Sequence, residues 1–127
     1  MKVLVIDDDS TVLEVVGGTL ENMGHEAATR ESAVGASAWI LEERPDLVLV
    51  DLNMPVLPGE EWLSLITQVG LVTGDGYDPH FVLLSSQSVE ELERVVRDTC
   101  AVGYIQKQEG AEAFEATFEK IVQGLAS

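Results

Sequence analysis

Three consecutive aspartates, Asp7-Asp8-Asp9, follow directly on the apolar run Lys2–Ile6, and Asp51 follows directly on a second such run, Leu47–Val50. Farther along, Ser85-Ser86 close the run 81–84, and Lys107 closes the run 102–106. Short continuous apolar runs rich in Val and Ile read as buried strands. The chemically able residues therefore stand at strand ends. Several carboxylates brought together repel one another and are costly to desolvate. A hard divalent cation removes that conflict. Mg2+ takes oxygen ligands in near-octahedral geometry and usually keeps waters or phosphate oxygens in its shell. Asp7, Asp8 and Asp51, one Mg2+ and the Lys107 ammonium together balance to zero charge.

That balance suits phosphoryl transfer, which needs positioning and charge neutralisation more than covalent help. Asp51 can serve as the carboxylate nucleophile. Mg2+ and Lys107 would neutralise the equatorial oxygens, and the Ser85 hydroxyl could donate to one of them. Phosphorylation replaces a −1 carboxylate with about −2. The added oxygens pull on nearby donors, and such a pull is a switch signal. Plainer roles exist beside these. Asp9 or Ser10 suits a helix N-cap or turn. Ser85 or Lys107 alone would be unremarkable at a strand end. Cys100 is the sole cysteine, which leaves no disulfide framework and no cysteine metal site. It is expected as a small buried residue.

The elements that must position these residues alternate along the chain. The first strand, Lys2–Ile6, is followed by a helix over 10–23, with Val12, Leu13, Val16, Leu20 and Met23 at helical spacing and Gly24 just beyond its end. Glu26–Arg30 is a weak strand suited to a sheet edge. A helix is expected over 32–43, with Val34, Trp39, Ile40 and Leu41 as candidates for burial, ended by Pro45. After Leu47–Val50, Pro55 and Pro58 mark a loop, and a third helix runs over Gly59–Val69. Residues 70–79 hold Gly, Pro and Asp in a long loop, either a partner contact or an idle surface insertion. Helices over 88–98 and 112–125 flank the last strand. His25 and His80 both look like loop residues, away from any helix face.

Five strands alternating with five helices imply an α/β fold: a doubly wound parallel sheet covered on both faces. Such sheets bind ligands at the carboxyl ends of their strands, beside the switch point in strand order. In a flavodoxin-like order 2-1-3-4-5, the first and third strands are central neighbours, and Asp7, Asp8 and Asp51 converge in one crevice.

Composition narrows the partners. The 127 residues fit one domain and carry a net charge of −16, from 23 acids against seven bases. Nucleic acid and anionic membrane surfaces are disfavoured, because affinity there comes from Lys and Arg. A divalent cation or a basic protein patch suits the field better. No apolar run reaches the ~20 residues that span a bilayer. The N-terminal apolar run is too short for a signal peptide. A cytoplasmic protein is expected.

Four segments, in order and at these spacings, carry a family resemblance. They are Leu4-Val5-Ile6-Asp7-Asp8-Asp9, then Leu47 through Pro55 with Gly59 beyond, then Leu83-Leu84-Ser85-Ser86, and Gly103-Tyr104-Ile105-Gln106-Lys107. The chain resembles the receiver domain of bacterial two-component response regulators over essentially its whole length. The resemblance implies one receiver domain over residues 1–127, of the single-domain type. It implies Asp51 as the phosphorylation site. Asp8 and Asp51 would ligate Mg2+ directly, Asn53 would offer its backbone carbonyl, and Asp7 would act through metal-bound water. Lys107 would pair with the phosphoryl group. Ser85 and Tyr104 would move as switch residues and reshape the surface of the fourth helix, fifth strand and fifth helix for a downstream protein. The phosphoryl donor would be a sensor histidine kinase or a histidine phosphotransfer protein. Tyr104 also reads as a half-buried strand aromatic, Asn53 as a turn residue, and Trp62 as packing.

Two departures stand out. Gln108 occupies the place where the family has a proline in a cis peptide. A non-proline cis bond costs ~2.5–4 kcal/mol, so a trans bond or a rearranged loop is expected. The loop 70–79 is longer and more polar than typical. These motivate one alternative, a phosphorylation-independent pseudo-receiver acting as an interaction module. A phosphatase with an aspartyl nucleophile is a third reading, but it expects the nucleophile after the first strand and a cap domain. The leading expectation is a signalling phosphoacceptor, at most self-phosphorylating and self-dephosphorylating, and not an enzyme acting on a separate substrate.

Overall fold

The computed structural model describes residues 1–71, 73–107 and 110–126. The elements follow in chain order: β1 (Lys2–Ile6), α1 (Ser10–Asn22), β2 (Glu26–Arg30), α2 (Ala36–Glu43), β3 (Leu47–Val50), α3 (Gly59–Val69), β4 (His80–Ser85), α4 (Val89–Asp98), β5 (Ala101–Gln106) and α5 (Ala111–Ala126). The five strands pair in parallel in the order β2-β1-β3-β4-β5. This is the expected flavodoxin-like order, with the weak strand β2 at an edge.

Strand alternation explains why continuous apolar runs were needed. Leu4, Ile6, Val48, Val50 and Leu83 point to one face, where they pack with Ile40 of α2, Trp62, Leu63 and Ile66 of α3, and Leu92 and Val95 of α4. Val3, Val5, Leu47, Leu49, Val82 and Leu84 point to the other, against Leu13, Val16 and Leu20 of α1 and Phe114 and Phe118 of α5. Both faces are dry, so neither face of a central strand tolerates a polar residue.

Local signals set several boundaries. Asp9 caps α1, its Oδ1 accepting from the backbone N–H of Thr11 at 2.9 Å and of Val12 at 3.4 Å. Ser88 caps α4 by accepting from Glu91 N–H. Gly24, at φ 91°, turns the chain after α1.

The second helix departs from expectation. It begins at Ala36, because the Ser32 hydroxyl accepts from Val34 N–H in a local turn and Gly35 enters the helix at φ 76°. Val34 is consequently 53% exposed rather than buried, and Leu41 is 37% exposed. Of the four expected there, Ile40 is fully buried and Trp39 is half-buried. Cys100 is half-buried rather than buried, and His80 opens β4 rather than lying in a loop. Trp62 is core, with its Nε1 donating to Ser37 Oγ.

The loop after α3 is stapled to the end of α2. Arg44 pairs with Asp75 at 2.6 Å and lies over the Tyr77 ring. The Tyr77 hydroxyl donates to the Pro45 carbonyl at 2.6 Å, and burial pushes its pKa up to about 12. The Lys107–Gln108 bond lies outside the described residues.

Candidate functional site

Sheet register brings the acids together. The ladder of β1 and β3 continues one step past its strands, with Asp51 N–H donating to the Ile6 carbonyl at 2.9 Å. On the other side of β1, Asp7 N–H donates to the Arg30 carbonyl. Lys107 N–H donates to the Ser85 carbonyl at 3.0 Å, extending the ladder of β4 and β5. Backbone pairing thus delivers Asp7, Asp51, Ser85 and Lys107 to one end of the sheet.

Oxygens of Asp7, Asp8 and Asp51 all lie within 4.8 Å of one another. Asp7 and Ser85 are fully buried, Asp51 is 3% exposed, and Asp8 faces solvent. The Lys107 Nζ stands 2.7 Å from Asp7 Oδ2 and 3.3 Å from Asp51 Oδ1. Asp7 Oδ1 accepts from Asp9 N–H, and Asp51 Oδ1 accepts from Asn53 N–H at 3.2 Å. Asp7 Oδ2 receives no hydrogen bond of good geometry from the described residues, despite the nearby ammonium. Of the remaining sequence candidates, Asn53 is exposed beside the site, and Tyr104 is half-buried on β5.

Charge in this crevice is under-compensated. Burial, then the neighbouring Asp7 charge, raises the Asp51 pKa above the usual carboxylate range, against the Asn53 N–H and Lys107, which lower it. Burial acts to lower the Lys107 pKa, but the close approach of its ammonium to Asp7 and the charges of Asp51 and Asp7 outweigh it and raise the value. The donor set consists of hard oxygens, and one buried carboxylate oxygen has spare acceptor capacity. That set fits Mg2+.

The native state holds the Asp51 proton more tightly than the unfolded chain. The contribution of Asp51 is therefore fully present below the unfolded pKa of about 3.9 and lost as pH rises through the folded value. At pH 7, well above the unfolded value, burying this carboxyl without metal weakens the fold. Metal-free Asp51→Asn is expected to melt above wild type at pH 7, by a few degrees at roughly 4 °C per kcal/mol. The gap should close towards pH 4. Calorimetry across that range checks this, and equal melting temperatures at pH 7 would contradict it.

One contact was not anticipated. Gln87, two residues past Ser85, donates through Nε2 to Asn53 Oδ1 at 2.9 Å. Its position in a polar turn offered no signal, because the partner is distant in sequence.

Fold and site together define a doubly wound α/β domain with an acidic crevice at its switch point. The chain belongs to the response regulator receiver domain family, whose model matches residues 3–119. Among curated relatives, "Transcriptional regulatory protein PrrA" of Mycobacterium tuberculosis is 38% identical over 90 residues, covering 71% of this chain and 36% of that protein. "Phosphate regulon transcriptional regulatory protein PhoB" of Pseudomonas aeruginosa is 34% identical over 105 residues, covering 83% of this chain and 44% of that protein. The chain spans less than half the length of these relatives. The chemotaxis protein CheY4 of Vibrio cholerae matches with a TM-score of 0.78 at 25% identity, over 94% of this chain and 97% of that one. The receiver domain of the Francisella response regulator 1452 matches with a TM-score of 0.80 over 98% of both chains. At 19% identity, that likeness shows the fold alone.

Proposed function

We propose that residues 1–127 form one receiver domain that works as a phosphoacceptor switch, with Asp51 as the acceptor. The observation that carries the reading is the joint one: three carboxylates with oxygens within 4.8 Å, and one ammonium bridging the two buried ones. An Asp51 oxygen attacks the phosphorus of a phosphohistidine on a sensor kinase or phosphotransfer protein. The phosphorus–nitrogen bond breaks, and its electron pair stays on the imidazole, which takes up a proton from solvent. Asp7, Asp8 and Asp51, with the Asn53 backbone carbonyl, would hold Mg2+. When bound, Mg2+ supplies positive charge against the phosphoryl oxygens. Lys107 is already beside Asp51 and turns its ammonium to the same oxygens. Ser85 offers its hydroxyl to one of them, and Tyr104 follows the vacated space. The face of α4, β5 and α5 then presents a changed surface to a downstream protein.

The acidic surface favours a basic protein partner, and direct binding of nucleic acid by this chain is not part of the reading. No helix among the described residues is long and apolar enough to cross a membrane, and a cytoplasmic site of action is consistent with that. The domain is a signalling acceptor, with chemistry limited to its own phosphorylation and dephosphorylation. The pseudo-receiver alternative draws no support from a crevice in which the whole acidic set converges.

The test is intact mass after incubation with acetyl phosphate, with and without MgCl2. Wild type is expected to gain one phosphoryl group only with Mg2+, and Asp51→Asn none. An unmodified wild type under all conditions, or a variant that labels equally, would sink the proposal.

A further inference from the structure

Gln87 lies half-buried in the turn between β4 and α4. Three hydrogen bonds leave it for three different segments. Its side-chain Nε2 donates to Asn53 Oδ1 at 2.9 Å. Its backbone N–H donates to Ser85 Oγ at 3.2 Å. Its backbone carbonyl accepts from Gln106 Nε2 at 3.1 Å. One residue therefore touches the loop after β3, the buried hydroxyl at the end of β4, and the end of β5 beside Lys107.

We propose that Gln87 is a positioning residue that couples occupancy of the carboxylate cation site to Ser85 and to the end of β5. The inference rests on the Mg2+ reading of the carboxylate cluster and adds to it a route out of the site.

Asn53 is exposed, so packing does little to hold it. Among the described residues it has two tethers: its N–H to Asp51 Oδ1 at 3.2 Å, and its side chain to Gln87. A cation held by Asp51 and the Asn53 carbonyl would pull on the same loop that the Asn53 N–H tethers to Asp51 Oδ1. The loop must then re-aim, and the Asn53 side chain carries that movement to Gln87. From Gln87 it divides. Through the backbone N–H it reaches Ser85 Oγ. Through the carbonyl it reaches the Gln106 side chain, one residue from the ammonium that pairs with Asp7 and Asp51. By linkage, a residue that transmits cation binding also contributes to cation affinity. Removing the Gln87 amide is expected to weaken Mg2+ binding about fivefold, at the low end of measured coupling energies.

The experiment uses the whole chain, labelled with 15N, and MgCl2 as the only probe. In wild type, added Mg2+ is expected to shift the backbone amides of Asp8 and Asn53 and also the side-chain NH2 of Gln106. Gln87→Ala should keep the first pair of shifts, at about fivefold higher Mg2+, and lose the response at Gln106. Gln87→Glu keeps the chain length but replaces the donor to Asn53 with an acceptor. It should behave like the alanine variant, and it guards against a folding defect peculiar to alanine. Without Mg2+, both variants should already show a shifted Asn53 side-chain NH2. A Gln106 response equal to wild type in both variants overturns the proposal. No Mg2+ response anywhere in wild type overturns the metal reading itself, a result the variants cannot produce.

Discussion

Gly59→Ala is expected to cost about 3 kcal/mol or more and to disable the acceptor at the same time. Gly59 opens α3, and its N–H donates to the Leu52 carbonyl at 3.2 Å. A Cβ there would lie 2.0 Å from the Asp51 carbonyl oxygen, 2.9 Å from the Asp51 carbonyl carbon and 3.1 Å from Leu52 Cα. All three are backbone atoms, so no side chain can swing away. Either the start of α3 or the backbone of Asp51 must move by ~1 Å, more than the usual strain of overpacking, which costs ~1–3 kcal/mol. Displacement of a reacting group by 1 Å costs on the order of 100-fold in rate. Urea unfolding and the rate of acetyl phosphate labelling measure the two effects. Gly18→Ala is the control: it lies in α1 with nothing within 4 Å of the added carbon. That change should stabilise the fold by about 0.5–1 kcal/mol through helix propensity. If Gly59→Ala matches Gly18→Ala in stability and wild type in labelling rate, the close approach of α3 to Asp51 is wrong.

The second large effect is expected at Lys107. Its ammonium is the positive group beside both buried carboxylates, at 2.7 Å from Asp7 and 3.3 Å from Asp51. Removing one partner of a buried ionic cluster costs ~3–5 kcal/mol, because the remaining charge is left uncompensated. The Lys107 pKa is raised in the native state. Its contribution is therefore fully present below the unfolded pKa of about 10.4 and lost only as pH rises through the folded value, so the whole of it is at stake at pH 7. Metal-free Lys107→Ala should unfold at markedly lower urea than wild type. Acidification should narrow the gap, because protonating Asp51 relieves the repulsion. Millimolar Mg2+ should narrow it too. Labelling by acetyl phosphate should remain slow even where stability is restored, because the phosphoryl oxygens then lack the Lys107 ammonium. A variant as stable as wild type in EDTA at pH 7 would show that the ion pairs contribute nothing.

The surface ion pairs offer a contrast of scale. Arg94 joins Glu60 of α3 to Glu91 and Asp98 of α4, but all four side chains are well exposed, and exposed pairs are worth ~0–1 kcal/mol. Their value is local: they bridge α3 to α4 beside the site.

Several features were legible because they are written in neighbouring residues. The dry strands Lys2–Ile6 and Leu47–Val50 declare themselves by continuous Val, Ile and Leu. Asp9 is a cap by type and position. Val34 misled, because a helical pattern of apolar residues cannot reveal that the Ser32 hydroxyl and a left-handed Gly35 delay the helix. Gln87 was invisible, since nothing near it in the chain indicates Asn53 or Gln106 as partners.

Residue type alone determined that this chain would end its buried strands in carboxylates, a hydroxyl and an amine, since a polar residue ends an apolar run wherever it occurs. Tertiary structure decided the rest. Parallel register set Asp51 beside Asp7 and left one lysine between two buried acids, while the seating of α3 pressed Gly59 onto the Asp51 carbonyl. Distances across strands depend on pairing between segments 20 to 44 residues apart, and pairing is a property of the packed sheet and not of any stretch of sequence.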